Sequence, residues 1–92
     1  MRTTDTLKKR IELYKQTDAY KLNNYSKDIV SAIEMCIILL EMAIRNNNRI
    51  RKEDQVWFNG AYQITREFEE LEWRDIGMLY DEIVKVAREK YF

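Results

Sequence analysis

The sequence predicts an all-α protein, an antiparallel up-down bundle of four helices forming one domain over residues 1–92. Three observations predict it. Proline is absent and there are only two glycines, whereas all-β folds need turn residues every few positions. Apolar residues recur at alternating spacings of three and four, the period of a helix with one buried face. The polar interruptions between these stretches are short, which makes successive helices antiparallel neighbours. A chain of 92 residues buries a modest core, so the margin of stability is only a few kcal/mol.

The first helix is expected from about Asp5 to Lys21, with Thr4 or Asp5 capping its free N–H groups. Leu7, Ile11 and Tyr14 form its apolar face, with Leu13 and Tyr20 beside them. The stretch "LNNYS" ends it, because asparagine tolerates the left-handed backbone that closes a helix.

Ser26 can cap the second helix, which reaches about Arg45. Ile29, Ile33, Cys36, Leu40 and Ala43 form its seam. Val30, Ile37 and Ile44 widen that seam on one side, and Met35, Leu39 and Met42 on the other. The helix is apolar nearly all round, so it is expected at the centre of the bundle. Ile38 departs from the pattern, because it lies within the narrow polar stripe of Ser31, Glu34, Glu41 and Arg45.

The third helix starts between Asn48 and Asp54, and Trp57, Ala61, Ile64, Phe68 and Leu71 give it a seam. The phase then slips by one residue near "EWRD", and Ile76, Leu79, Ile83 and Val86 begin a new seam. A break with Asp75 as the cap of a fourth helix explains the slip. One long helix kinked near Gly77 is the rival reading.

Composition narrows the chemistry. Histidine is absent, which removes His-based general bases, Ser-His and Cys-His nucleophile systems and most zinc sites. The single cysteine, Cys36, lies in the most apolar run and cannot form an internal disulfide. It reads as a small core residue and favours a reducing compartment. The carboxylates Glu67, Glu69, Glu70, Glu72 and Asp75 are spaced to share a metal, but they fall in a single run. Metal sites in bundles draw ligands from facing helices, and helical nucleotide pyrophosphohydrolases pair one E-x-x-E with a later E-x-x-D on another helix. This run is therefore read as a solvated face. No catalytic residue, cofactor or metal is expected.

The N-terminal "MRTTDTLKKR" shows no apolar signal core, and the longest apolar run, 29–44, is interrupted by Glu34 and Glu41. It falls short of the ~20 residues of a membrane span. The expectation is a cytoplasmic protein of the producing or infected cell, without a membrane partner.

Formal charge is zero, yet residues 1–53 hold 11 Lys/Arg against 7 Asp/Glu, and residues 54–92 hold 5 against 9. In an up-down bundle the start of the first helix, the turn "RNNNRIRK" and the chain's end share one pole. Asn46, Asn47 and Asn48 suit a turn and cap, and Arg45 offsets the dipole of the helix it ends. Arg49, Arg51 and Lys52 gain nothing from the dipole of the helix they begin. These four, with Lys8, Lys9 and Arg10, form a candidate partner-binding surface. Ile38, Glu34, Glu41, Phe58 and Tyr62 form a candidate oligomer interface, so a homodimer is also considered. The composition fits a small non-catalytic regulator or inhibitor that binds a protein, by analogy with the helical accessory and immunity proteins of phages and other mobile elements. The alternative is a nucleic-acid-binding regulator using the basic pole, against which the zero net charge counts.

Overall fold

The computed structural model describes the backbone of residues 1–67 and 71–92 and the side chains of 1–65 and 74–92. Four long helices and one short helix account for it: α1 (Arg2–Tyr14), α2 (Asp18–Lys21), α3 (Asn24–Asn46), α4 (Lys52–Glu67) and α5 (Leu71–Lys90). No strand occurs among the described residues. The long helices close a ring in the order α1, α3, α4, α5, each packed on the next and α5 on α1. Cross-links show the directions. Lys8 meets Glu41 and Lys15 meets Glu34, so α1 and α3 are antiparallel. Arg10 meets Asp75 and Thr3 meets Glu82, so α1 and α5 are antiparallel too. The predicted up-down arrangement is the one observed.

The first helix is shorter than expected. α1 ends at Tyr14, and Thr17 separates it from α2. The Thr17 hydroxyl donates to the Tyr14 carbonyl at 2.7 Å and accepts from the Tyr20 N–H at 3.3 Å. One side chain thus closes one helix and caps the next. Thr4 is no cap; it is buried in α1, where its hydroxyl donates to the Met1 carbonyl at 2.6 Å. Asp5 lies within the first turn. Asn23, not Ser26, caps α3, accepting from the N–H groups of Tyr25 and Ser26. Its backbone is extended, so the left-handed conformation expected near "LNNYS" is not used. It appears instead at Asn47, with φ 52°, where the cap of α3 uses it as the sequence suggests.

The seam of α3 is buried throughout: Ile29, Ile33, Cys36, Leu40 and Ala43, joined by Val30 and Ile37. Leu7, Ile11 and Tyr14 of α1 meet it as expected, while Leu13 is exposed. Each fully buried Leu, Ile or Val contributes ~1.5–3 kcal/mol over its exposed state. On α4 the expected phase is wrong. Trp57 is 52% exposed and Phe58 is 0% exposed. The buried face is Phe58, Ala61 and Thr65, a rotation of about 70° from the expected one. Ile64 is half-buried, and the side chains of Phe68 and Leu71 lie outside the described residues. Residues 72–76 are helical within α5, so Asp75 is not a cap. The core face of α5 is Ile76, Tyr80, Ile83, Val84 and Ala87, with Leu79 and Val86 only partly buried.

Candidate interaction surface

α3 has two flanks and an outer ridge. Glu34, Ile37 and Glu41 face α1. Met35, Leu39, Met42 and Asn46 lie on the α4 side, by their places on the helix and by the cleft that three of them line. Ser31, Ile38 and Arg45 point away from the core, and all three are exposed.

The cleft toward α1 is a notch of ≈ 350 Å³ lined by Lys8, Ile11, Glu12, Glu34, Ile37 and Ile38. Ion pairs bridge it: Lys8 to Glu41 at 2.6 Å and Lys15 to Glu34 at 3.0 Å. The hydrogen bond to Glu34 holds the Lys15 ammonium above the ordinary lysine range. Ile11 and Ile37 are buried at the base of this cleft.

The cleft toward α4 is a notch of ≈ 300 Å³. Leu39, Met42, Ala43 and Asn46 line it from α3, Arg49, Ile50 and Arg51 from the turn, and Asp54 from α4. Trp57 lies one turn beyond Asp54 on the same side of α4, and Met35 one turn before Leu39 on α3. The register between these helices is set by Tyr80, whose Oη donates to the Phe58 carbonyl at 2.9 Å and lies 3.5 Å from Cys36 Sγ. By helix geometry Met35, Met42 and Trp57 stand along this α3–α4 seam, with Met42 in the wall of the notch itself. All three are about half exposed, at 47%, 49% and 52%.

The basic pole is partly realised. The Ile50 N–H donates to the Tyr91 carbonyl at 2.6 Å, which ties the α3–α4 turn to the end of the chain. Arg45, Arg49 and Lys52 are exposed there and have no ion-pair partner among the described residues. Arg51 is exposed but paired with Asp54 at 3.0 Å, with Glu53 at 3.8 Å. Its guanidinium thus stabilises the acidic first turn of α4. Lys8 is held by Glu41 along the flank of α1. Arg10 is held at 2.6 Å by Asp75 near the start of α5, toward the opposite pole. Lys9 is exposed on α1. Arg88, at the same end as the turn, donates to Asn59 at 2.6 Å and stacks over the Tyr62 ring at 5.4 Å.

Of the residues considered for an oligomer interface, Glu34, Ile38 and Glu41 lie together on α3, the first two lining one cleft, while Phe58 and Tyr62 lie elsewhere. Phe58 is core, in edge contact with Phe92 at 5.5 Å. Tyr62 is half-buried toward α5. Glu34 and Glu41 serve the ion pairs with α1, which leaves Ile38 as the exposed apolar member, at 54%.

No family model, no curated protein and no solved structure matches this chain. Its function must be argued from its surface.

The interior offers little for chemistry. Burial pushes the Cys36 thiol above its ordinary range, and burial pushes the Tyr80 phenol far above its own. Both stay protonated at neutral pH. No group of three or more His, Cys, Asp or Glu that could hold a metal ion occurs among the described residues. Of the acidic run, the side chains of Glu67, Glu69, Glu70 and Glu72 lie outside the described residues, and Asp75 pairs with Arg10. Among the described residues no helix is long and apolar enough to cross a membrane.

Sequence reasoning missed Met35, Met42 and Trp57 as surface residues. A signal was present. Ser31, Met35, Ile38, Met42 and Arg45 recur at four, three, four and three, so the two methionines share a line whose ends are polar.

Proposed function

We propose that this protein is a non-catalytic regulator or inhibitor that acts by binding another protein through the α3–α4 face and the adjoining pole. The observation that carries the reading is the α3–α4 notch, whose lining joins the exposed Met42 and Arg49, flanked along the helices by the exposed Met35, Trp57 and Arg45. Tryptophan, methionine and arginine are the residue types enriched where protein interfaces hold their binding energy. The proposal sets the protein in the cytoplasm of the producing or infected cell, where a free buried thiol such as Cys36 is ordinary.

Nucleic acid is the second reading, favoured by Arg45, Arg49 and Lys52, exposed cations at the pole with no ion-pair partner among the described residues. The two differ in what they require of Trp57 and Met42, because phosphate binding rests on the cations and falls steeply with salt.

A photo-crosslinking amino acid at position 57, at position 42, or at the distant exposed position 82 tests the proposal in the native host. Capture of one and the same protein from 57 and 42, but not from 82, is the expected result. Crosslinks to nucleic acid alone, or equal capture from all three positions, sink the proposal.

A further inference from the structure

The α3–α4 groove has a defined length and a defined polarity. Leu39, Met42 and Asn46 line its α3 wall, Met35 lies one turn before Leu39, and Trp57 lies one turn beyond Asp54 of the α4 wall. Seven residues of helix measure ~10 Å, about two turns. A groove between two antiparallel helices accepts the ridge of a third, and an amphipathic helix uses anchors at i, i+3 or i+4, and i+7 in such a groove. At one end stand Arg49, which lines the notch, and Arg45, one turn beyond Met42 on the outer ridge of α3; both are exposed and have no ion-pair partner among the described residues.

We propose that this groove takes an amphipathic helix of a partner protein, apolar over two turns and acidic at the end that meets Arg45 and Arg49. The assignment rests on the protein-binding reading above and adds the chemistry of the partner. Charge complementarity selects the occupant: among the described residues Arg45 and Arg49 form no ion pair, and guanidinium groups match carboxylates in a bidentate fork. A flat apolar patch would accept any greasy segment. A two-turn groove with cations at one end prefers one orientation of one kind of helix.

The test needs no knowledge of the natural partner. A library of displayed helical peptides, random in apolar and charged positions, is selected on the full chain and counter-selected on Trp57→Asp. The expected winners carry apolar anchors at i, i+3 or i+4, and i+7, with Asp or Glu at one end. The double reversal Arg45→Glu, Arg49→Glu should weaken them by roughly tenfold or more, and added salt should narrow that gap. Circular dichroism confirms that both variants keep the helical fold. Winners without an acidic end, winners indifferent to the reversal, or no winners at all overturn the inference. So does a single-stranded oligonucleotide that binds equally to wild type and to Met42→Ala, Trp57→Ala, since phosphate would then be the ligand. A wild type that sediments as a dimer and is dispersed by Met42→Asp also overturns it, in favour of a second copy. If crosslinking from position 57 captures a protein whose contacting segment is not an acidic helix, this inference falls while the protein-binding reading stands.

Discussion

On the α1 side of α3, the apolar floor of Ile11 and Ile37 lies beneath two lysine–glutamate pairs. On the α4 side of the same helix, Met35, Met42 and Trp57 stand half in water. Both flanks follow from one amphipathic pattern, and both clefts are of similar size. The difference lies in what the neighbouring helix contributes at the rim. The α1 side supplies Lys8 and Lys15, whose ammonium groups pair with Glu41 and Glu34. α4 supplies Trp57, an aromatic ring left half exposed. Exposed apolar surface at this place is therefore a property of particular side chains, not a necessity of a small bundle. Large contiguous patches of that kind mark interaction sites.

The sharpest way to break this comparison is at the neighbours Trp57 and Phe58. If Phe58 is the core residue, Phe58→Ala should cost ~3–5 kcal/mol, the range for truncating a buried aromatic. Trp57→Ala should stay within ~0.5 kcal/mol, as for surface positions. Urea denaturation of both variants measures this. Equal losses would put Trp57 in the core and close the proposed groove.

Ala61 probes the same face at a smaller scale. Leucine there must fit between Phe58 and Thr65 on a buried face, and overpacking costs ~1–3 kcal/mol. Tyr62→Leu should cost less, mainly the contact with Arg88, worth ~0.5–1 kcal/mol at an exposed site. Thermal melts that rank the two variants in the opposite order would rotate α4 back toward Trp57.

These two tests show why the phase of α4 was hard to read. The pattern Trp57, Ala61, Ile64 and the pattern Phe58, Ala61, Thr65 share Ala61, so the choice rests on whether a threonine is buried. Thr65 hides its polarity by donating to the Tyr62 carbonyl at 2.9 Å within its own helix. Thr4 does the same with the Met1 carbonyl, and Tyr80 with the Phe58 carbonyl. A buried polar group with a partner costs little, so each of these passes into the core while a hydrophobic scale counts it as surface. The up-down bundle, the α3 seam, Asn47 as a cap and the exposure of Ile38 were legible, because periodicity and turn chemistry carry them directly. The partners of Arg10 and Lys8 were not, since they depend on which helices become neighbours. The end of α1 at Tyr14 could have been found: Thr17 followed by Asp18 is a helix start signal inside an otherwise periodic stretch.

Alkali provides the third test, and it bears on the register that aligns the two walls of the groove. Cys36 and Tyr80 both have folded-state pKa values raised by burial. In the unfolded chain they lose their protons from about pH 8.5 and pH 10 upward. Above each of those values the unfolded state binds fewer protons than the folded state, so stability must fall as pH rises. The stabilising preference for the protonated forms is fully present below the unfolded pKa values. Melting temperatures should therefore be level from pH 7 to 8 with respect to these groups and decline beyond. Cys36→Ala, although destabilised by its smaller side chain, should show a shallower decline between pH 8.5 and 10. An unchanged slope in that variant would mean that Cys36 is not buried against Tyr80.

The smallest effect concerns the covered cleft. Lys8→Ala and Lys15→Ala remove the two cations that bridge α1 to α3. Both pairs are solvent-accessible, and such pairs contribute ~0.2–1 kcal/mol each. Long lysine stems also lie over apolar surface, so their removal should expose more of Ile11 and Ile37. The double variant should thus lose little stability while its α1 cleft comes to resemble the α4 cleft, with apolar floor open to water. Urea midpoints measure the first part, and the increase in binding of a hydrophobic dye measures the second. Trp57→Ser in the same background should lower that dye signal from the other side, which separates the two clefts in one experiment. A loss above ~2 kcal/mol would make the ion pairs structural supports of α1, and the contrast between the two flanks would then be one of stability and not of cover.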